Sequence, residues 1–401
     1  MKNKGFDASR FYFLIIYLLL LVILIFRLAF YKEDKLPTNV NLKFEAVVWD
    51  VKSTGTGQVL TFKNITVFTP RYPGYKVGDK IVVSGYVDSE GKLFKGDTEI
   101  VGRSSNLLVW ATELRLAVLS KIRTLLPERE ATLVAGEVLG VNNIPADFKA
   151  ELTKTGTIHV VVVSGQNLMI VAGVFMALSR YIGRRRSLVL SFVAIFLYAL
   201  IAGFQAPAVR AMIMVLTATV GLFLGRQTST LLALFLAAVL IVIFSPASLY
   251  TVSFQLTFAA TLGIVTLGQI LQKKFSILPF LGENAAISLA SFIFTGPIIL
   301  YYFGRISLLA PLANILVAEA VFPIMVLGFF LSITSLVFNP LASIIALLAY
   351  APAHYFSLVV AFFAKVNFGY FEYFGQNLNL TIFLYFLIFL LLGVWRGKRI
   401  S

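Results

Sequence analysis

Long apolar stretches recur along most of this chain. Most of them run for about 18 residues or more, which is the length that a helix needs to cross roughly 30 Å of hydrocarbon. The predicted spans lie near residues 11–30, 158–179, 187–204, 207–224, 230–245, 250–270, 283–302, 306–332, 341–362 and 379–395. The pattern therefore predicts a polytopic α-helical membrane protein with about ten transmembrane helices. The first span is expected to stay as a transmembrane anchor over residues 11–31, because it lacks a convincing small-residue cleavage site.

A different pattern occupies residues 38–105. Short runs of alternating apolar and polar residues, such as 42–49 and 80–87, are separated by glycine and proline. This is typical of strands joined by turns. About five short strands over this length favour a small closed barrel, and residues 77–85 resemble a strand entry common in OB-folds. We expect a small all-β OB-like domain here.

Residues 106–157 show helical spacing without a long apolar run. Pro127 and Pro145 stand where helices begin well, and Gly140 and Gly156 stand where helices end well. The segment therefore predicts three short amphipathic interfacial helices rather than another span.

The net charge of +15 is largely explained by topology. Five basic clusters stand at the ends of predicted spans, and the predicted spans place all five on one side. The clusters are Lys2, Lys4 and Arg10; Arg180, Arg184, Arg185 and Arg186; Arg226; Lys273 and Lys274; and Arg396, Lys398 and Arg399. The positive-inside rule makes that side the cytoplasm. The basic segments 1–10 and 397–401 are then cytoplasmic, and the OB-like domain is extracytoplasmic, with the chain in the inner (plasma) membrane.

The amino-acid composition excludes several kinds of disulfide, metal and nucleotide-binding site. The chain is 59% hydrophobic and 13% charged, and it has no cysteine and only two histidines. Disulfides and thiolate metal sites are excluded, and a histidine-rich metal centre has too few ligands. The phosphate-binding loop Gly-x-x-x-x-Gly-Lys-Ser/Thr is also absent from the sequence. We expect no cofactor, no metal and no catalytic residues, and therefore not an enzyme.

Polar residues interrupt the span that begins near residue 158. His159 is followed by four valines and then by Ser164, Gly165 and, two residues later, Asn167. Irregular backbone at membrane depth survives only inside protein or beside a wet cavity, and broken helices often mark a substrate path. The alternative is that Ser164 and Gly165 allow close helix packing while His159 bonds a neighbouring carbonyl group.

Three further polar residues lie within predicted spans. Arg210 stands about one turn inside a span, where it either faces the protein interior or extends to the membrane surface. Gln255 must find partners inside the bundle. Glu319 is the only carboxylate well inside a predicted span, and intramembrane acids are functional candidates. A pair between Arg210 and Glu319 stays open at this stage.

Four short motifs occur in order along the chain: a histidine, an apolar run and Ser-Gly at 159–165, Gly-Phe-x-x-x-x-x-Arg-Ala at 203–211, Phe-Gln-Leu-Thr-Phe at 254–258, and Ala-Pro-x-x-Asn-x-Leu at 310–316. Behind an OB-like insert, these motifs resemble the ComEC competence family over about residues 38–390. The resemblance implies that residues 158–396 form a competence-type channel domain. It also implies that single-stranded DNA passes inward through that domain during natural transformation, after meeting the OB-like domain outside.

The resemblance also implies which residues matter. Carried over residue by residue, these are His159, Ser164, Gly165, Gly203, Arg210, Phe254, Gln255, Pro311 and Asn314. With the polar residues noted above, the predicted substrate path comprises His159, Ser164, Gly165, Asn167, Gly203, Arg210, Phe254, Gln255, Asn314 and Glu319. Asn167 stands where relatives often have a second histidine, and Thr251 where they often have an acid.

The OB-like domain offers candidate DNA contacts of both kinds that single strands need, stacking rings and basic groups. The candidates are Trp49, Lys63, Arg71, Tyr72 and Lys76. Residues 40–105, however, contain nine basic and seven acidic residues, whereas a dedicated nucleic-acid surface is usually more basic. The alternative, that the rings of this domain fill a barrel core, therefore stays open.

Many relatives continue into a metallo-β-lactamase-like domain, whereas this chain ends at Ser401, soon after its last span. We therefore expect a separate nuclease, together with a separate surface DNA receptor and a cytoplasmic ATPase or strand-binding protein. Membrane lipids are the other expected partners, and the oligomeric state stays open. Alternative functions are a transporter of another anionic substrate, a membrane-embedded hydrolase and a non-conducting membrane scaffold.

Overall fold

The computed structural model describes most of the chain in two compact units. The described residues are 21–31, 40–53, 57–62, 65–87, 93–104, 106–141, 143–161, 165–204, 208–209, 212–216, 230–275, 281–366, 369–373 and 377–397. One unit, the sheet unit, is Lys32–Ala117. The other, the helical unit, combines Met1–Tyr31 with Val118–Ser401. The protein is therefore mostly helical, with a small sheet region near the N-terminus.

The sheet unit contains one six-stranded sheet. Its strands are β1 (Val40–Val47), β2 (Asp50–Ser53), β3 (Gln58–Phe62), β4 (Ile65–Thr69), β5 (Asp79–Val87) and β6 (Leu93–Arg103), in the order β1-β5-β6-β4-β3-β2. All neighbours are antiparallel except β4 and β6. Only Val48 and Trp49 separate the two edge strands β1 and β2, a gap of about 11 Å at most. The sheet must therefore curl until its edges meet.

Inward-facing side chains of the curled sheet form its core. The buried members are Val48, Leu60, Phe62, Val67, Tyr75, Ile81 and Val83. Phe44 packs against them, with its ring 6.2 Å from the Phe62 ring in an edge-on arrangement. The alternation in β5, where Ile81 and Val83 are buried and Lys80 is exposed, is what a half-buried strand requires.

The helical unit is built from helices of very different length. They are α1 (described over 21–29), α2 (Leu107–Leu125, which begins in the sheet unit), α3 (Glu128–Leu139), α4 (Ala146–Thr155), α5 (Gly165–Ala177), α6 (Ser179–Ile182), α7 (Arg184–Ile201), α8 (described over 212–216), α9 (Thr230–Phe244), α10 (Val252–Gly263), α11 (Gln269–Phe275), α12 (Leu281–Phe303), α13 (Ala310–Val337), α14 (Asn339–Lys365) and α15 (Leu378–Gly397). A 3₁₀ turn, Pro246–Tyr250, precedes α10, and a π-helical turn, Ile264–Gly268, joins α10 to α11. The short strands β7 (Arg305–Ser307) and β8 (Tyr370–Glu372) form an antiparallel pair.

Four helical segments of the described residues are long and apolar enough to cross a membrane. They are Val252–Phe275, Gly282–Phe303, Ala310–Val337 and Asn339–Lys365. Shorter apolar helices cover Asn167–Ile182, Leu234–Phe244 and Leu378–Gly393. The four long segments coincide with four of the predicted spans, and the chain is a membrane protein. The count of about ten spans stays a prediction.

Three helices form between residues 106 and 157, and their ends follow local chemistry. Pro127 and Pro145 directly precede α3 and α4. Gly140 and Gly156 end them with φ angles of 69° and 71°, the left-handed conformation that glycine adopts without strain. The structure differs from an interfacial arrangement at α3, because every residue from Glu130 to Leu139 is buried.

Two glycines let α3 pack closely inside the helical unit. A β-carbon on Gly136 would overlap the backbone oxygen of Val161. A β-carbon on Gly328 of α13 would lie 2.7 Å from Val138 of α3. α3 also contacts α14. These close approaches explain why a helix of only 12 residues is buried instead of lying at a surface.

An ion-pair network joins the start of α3 to α4. The Arg129 guanidinium lies 3.0 Å from both Glu151 and Asp147, and it stacks 5.2 Å above the Phe148 ring. The hydrogen bond from Arg129 lowers the pKa of the Asp147 carboxyl. Because Asp147 is solvent-exposed, this network positions the two helices more than it stabilises them.

Candidate functional site

Asn167 is the predicted path residue that the structure buries most completely. Gly165 begins α5, and Asn167 in its first turn is only 1% exposed. The Asn167 side chain donates a hydrogen bond of 2.9 Å to the backbone oxygen of Glu137 in α3. The Tyr198 hydroxyl of α7 donates to the same oxygen at 2.6 Å. The backbone oxygen of Glu137 thus joins three helices, α3, α5 and α7.

Glu137 is a buried acid that the sequence reasoning missed. Its side chain is 0% exposed, and neither carboxylate oxygen has a hydrogen-bond partner in the part of the chain that the structure describes. Desolvation raises the pKa of the Glu137 carboxyl well above its usual range. Its sequence signal is a lone charge within the small and apolar run 131–141.

Two other predicted path residues, Gly203 and His159, lie in different segments of the chain. Gly203 follows α7 with a φ of 78°, which fits a turn that only glycine enters easily. His159 is exposed, and its Nδ1 atom lies 3.0 Å from the backbone oxygen of Gly156. That contact matches the alternative in which His159 bonds a carbonyl group. Ser164 and Arg210 lie outside the described residues.

The Phe-Gln-Leu-Thr-Phe motif forms the first turns of α10. Thr251 caps this helix by accepting a hydrogen bond of 3.3 Å from the Phe254 backbone. Phe254 is buried, with its ring 4.3 Å from the Phe258 ring. The Gln255 side chain donates to the backbone oxygen of Leu249 at 3.3 Å. This partner of Gln255 thus lies in the turn before its own helix rather than on another helix of the bundle.

The Ala-Pro-x-x-Asn-x-Leu motif begins α13, where it meets α12. Ser288 of α12 donates to the backbone oxygen of Pro311 at 3.2 Å. The Asn314 side-chain oxygen is buried and has no hydrogen-bond partner among the described residues. Glu319, five residues after Asn314 on α13, accepts a hydrogen bond of 2.8 Å from Asn284. Glu319 is exposed on the protein surface.

A second buried acid of α3 is paired. The Glu130 carboxylate lies 2.9 Å from Nδ1 of His354 on α14, and the Tyr350 ring stacks on the imidazole at 4.9 Å. The partners are separated by 224 positions in sequence, so no local pattern connects them.

Within the described ranges, no hydrogen bond joins one predicted path residue to another. A continuous path stays a prediction.

The rings of the sheet unit divide into two groups. Phe44, Phe62 and Tyr75 belong to the core, as the alternative interpretation expects. Trp49 is 49% exposed and Tyr72 is 80% exposed, so both are accessible to a ligand. Two of the basic candidates, Arg71 and Lys76, are exposed as well. Lys63 lies outside the described residues.

A buried glutamine holds the loop that carries Arg71 and Tyr72. The Gln58 side-chain amide donates to the backbone oxygens of Arg71 at 2.6 Å and of Pro73 at 3.1 Å. Its oxygen accepts a bond of 3.2 Å from the Tyr75 backbone. These bonds fix the backbone of residues 70–75 while the Tyr72 ring points outward.

The fold and these polar positions define a multi-helix membrane protein with polar residues built into its helical unit and an exposed aromatic and basic loop on its sheet unit. Residues 138–399 match the Competence protein family. The chain belongs to that family, which confirms the resemblance that its motifs predicted.

Two curated relatives match parts of the chain. ComE operon protein 3 of Bacillus subtilis is 25% identical over 206 residues, which is 51% of this chain and 26% of that protein. An uncharacterized protein of Aquifex aeolicus is 31% identical over 179 residues, 43% of this chain and 40% of that protein. The matches thus span about a quarter and two fifths of the relatives' lengths. No solved structure matches the chain.

Proposed function

We propose that this chain is an inner-membrane channel that moves single-stranded DNA into the cytoplasm during natural transformation. The observation that carries the proposal is the Competence family match over residues 138–399, which spans the predicted channel domain. The name of the Bacillus subtilis relative, ComE operon protein 3, agrees with a role in competence. Asn167 and the side-chain oxygen of Asn314, which has no hydrogen-bond partner among the described residues, are polar groups buried within the helical unit, and this supports a polar interior for the proposed path.

The strand order supports an OB-like fold for the sheet unit. Taken as one strand bent at Val48 and Trp49, β1 and β2 pair with β5 through the first half and with β3 through the second. The remaining contacts are antiparallel, apart from the single parallel pair of β4 with β6. Five strands closed in this way correspond to the small Greek-key barrel of OB-folds.

The exposed loop of the sheet unit supports contact with a single strand. Base stacking on an exposed ring is tolerant of sequence, and basic side chains beside the ring bind phosphate groups. Trp49 and Tyr72 supply the rings, and Arg71 and Lys76 supply the charge. Because the domain has nearly balanced charge, we propose a weak, salt-sensitive encounter site rather than a tight one.

The proposal includes a topology of about ten spans with both termini in the cytoplasm and the OB-like domain outside. Positive charge at the span ends and the four long apolar helices support it. In this scheme the chain conducts DNA without being an enzyme. A separate surface receptor delivers the DNA, a separate nuclease degrades the other strand, and a cytoplasmic ATPase or strand-binding protein draws the strand inward.

Entry of labelled transforming DNA into the cytoplasm of the native host tests this function. Deletion of the gene should stop the appearance of nuclease-protected internal DNA while capture at the surface continues, and restoring the gene should reverse the defect. Arg210→Ala should reduce entry, whereas Arg185→Ala, which removes one of three adjacent arginines at the start of α7, should not. Unchanged entry in the deletion strain would contradict the proposal and favour another transported substrate or a scaffold.

A further inference from the structure

We propose that Glu137 is a proton-binding site in the helical unit, which holds its proton while α3, α5 and α7 are packed together and releases it when they separate. On release, the O–H bond of the carboxylic acid breaks and the proton passes to water, leaving a carboxylate. The site concerns the helical unit alone and does not require that the transported substrate be DNA.

The surroundings of Glu137 favour a neutral acid over a carboxylate. The side chain is fully buried, and neither of its oxygens has a hydrogen-bond partner among the residues that the structure describes. An unpaired buried charge is so costly that such a group takes up a proton instead. Burial accordingly raises the pKa of this carboxyl, with no charge partner contributing to the shift.

Each element packed around α3 presents a different titratable or polar group. Tyr198 of α7 faces the site, since its hydroxyl donates a hydrogen bond to the backbone oxygen of Glu137. α5 contributes the neutral amide of Asn167. His354 of α14 is bonded to Glu130. On α13, the one acid, Glu319, is bonded to Asn284 of α12.

The packing links the protonation state of Glu137 to helix position. α5 and α7 both hold the Glu137 backbone oxygen, through Asn167 and Tyr198. The backbone of Val161 meets α3 at Gly136, the adjacent residue. In the proposed release, α3 separates from these partners, which breaks both hydrogen bonds and admits water to the carboxyl. A glutamine would fill the same space without a titratable proton, so proton exchange is what the acid adds.

Infrared difference spectroscopy on the purified full-length chain in lipid nanodiscs tests the site. At neutral pH the wild-type spectrum should contain the carbonyl band of a protonated, weakly hydrogen-bonded carboxyl. That band should be lost completely in Glu137→Gln. It should persist in Glu128→Gln, which changes an exposed acid in the first turn of the same helix. If the wild-type band is absent at neutral pH, Glu137 is ionised and paired with a cation elsewhere in the chain, and the proposal is overturned.

Stability against pH provides a second readout that the wild type alone can give. Because the folded-state pKa is raised, the stability associated with the neutral acid is complete at low pH and lost as pH rises through that value. The melting temperature of the wild type should therefore fall as pH rises above the ordinary range of a carboxyl pKa, and that of Glu137→Gln should fall less. A wild-type melting temperature that stays level as pH rises above that range would also refute the site. Neither readout uses DNA, so a failure of the DNA-entry experiment leaves both interpretable.

Discussion

Gly136→Ala should destabilise the helical unit by about 3 kcal/mol, at the upper end of the usual cost of overpacking. The added methyl group would overlap the backbone oxygen of Val161, and a backbone atom cannot rotate away as a side chain can. α3 would have to move from its position against α13 and α14. The measurement is thermal unfolding of the purified protein in detergent, together with the level of inserted protein in membranes.

Gly173→Ala is the matched control for this substitution. Gly173 also lies within a helix, α5, but a β-carbon added there meets nothing within 4 Å. The control should stay within about 1 kcal/mol of the wild type, because alanine is a better helix former than glycine. Equal stability of the two variants would show that the α3 contact at Val161 is looser than the structure indicates.

Tyr72→Ala and Trp49→Ala should each weaken binding of single-stranded DNA to the full-length protein by about tenfold. Stacking of one base on a ring contributes about 1–3 kcal/mol, and 1.4 kcal/mol corresponds to a tenfold change in affinity. Both rings are exposed, so their loss should not disturb the core of the sheet. Fluorescence anisotropy with a labelled oligonucleotide, on protein in nanodiscs, measures the affinity.

Trp110→Ala is the control for lost aromatic surface, since Trp110 is 54% exposed, close to the 49% of Trp49, and lies on α2. It should bind like the wild type. Equal losses in Trp49→Ala and Trp110→Ala would mean that the rings act without a defined site.

Arg71→Gln should lower the affinity for single-stranded DNA and reduce the slope of log affinity against log salt by about one, as expected for a single phosphate contact.

Local chemistry accounts for the parts of the fold that the sequence predicts well. Proline at a helix start and glycine at its end act through the backbone of a few residues, so the ends of α3 and α4 follow from Pro127, Gly140, Pro145 and Gly156. The length of an apolar stretch is also visible in the sequence alone, and it predicts the four long helices. The family resemblance, carried by short ordered motifs, is confirmed by the match over residues 138–399.

Contacts between distant segments account for what the sequence does not predict. Glu137 is buried because Gly136 admits the backbone of Val161 and Gly328 admits α3, and neither approach has a local pattern. Alternation along a strand likewise cannot tell which rings of a curled sheet point inward: Phe62 lies in the core, whereas Trp49 is 49% exposed. Asn167 was found because a polar group in an apolar run is visible locally, whereas its bond to α3 spans 30 positions.

Reconstitution tests the central claim most directly. The purified chain is placed in liposomes, a membrane potential positive inside is imposed, and labelled single-stranded DNA is added outside, followed by nuclease. The channel predicts that protected DNA accumulates inside only when the protein is present, and that double-stranded DNA and a neutral polymer of similar size stay outside. DNA that binds the liposomes but remains fully sensitive to nuclease would contradict the claim that this chain alone forms the passage.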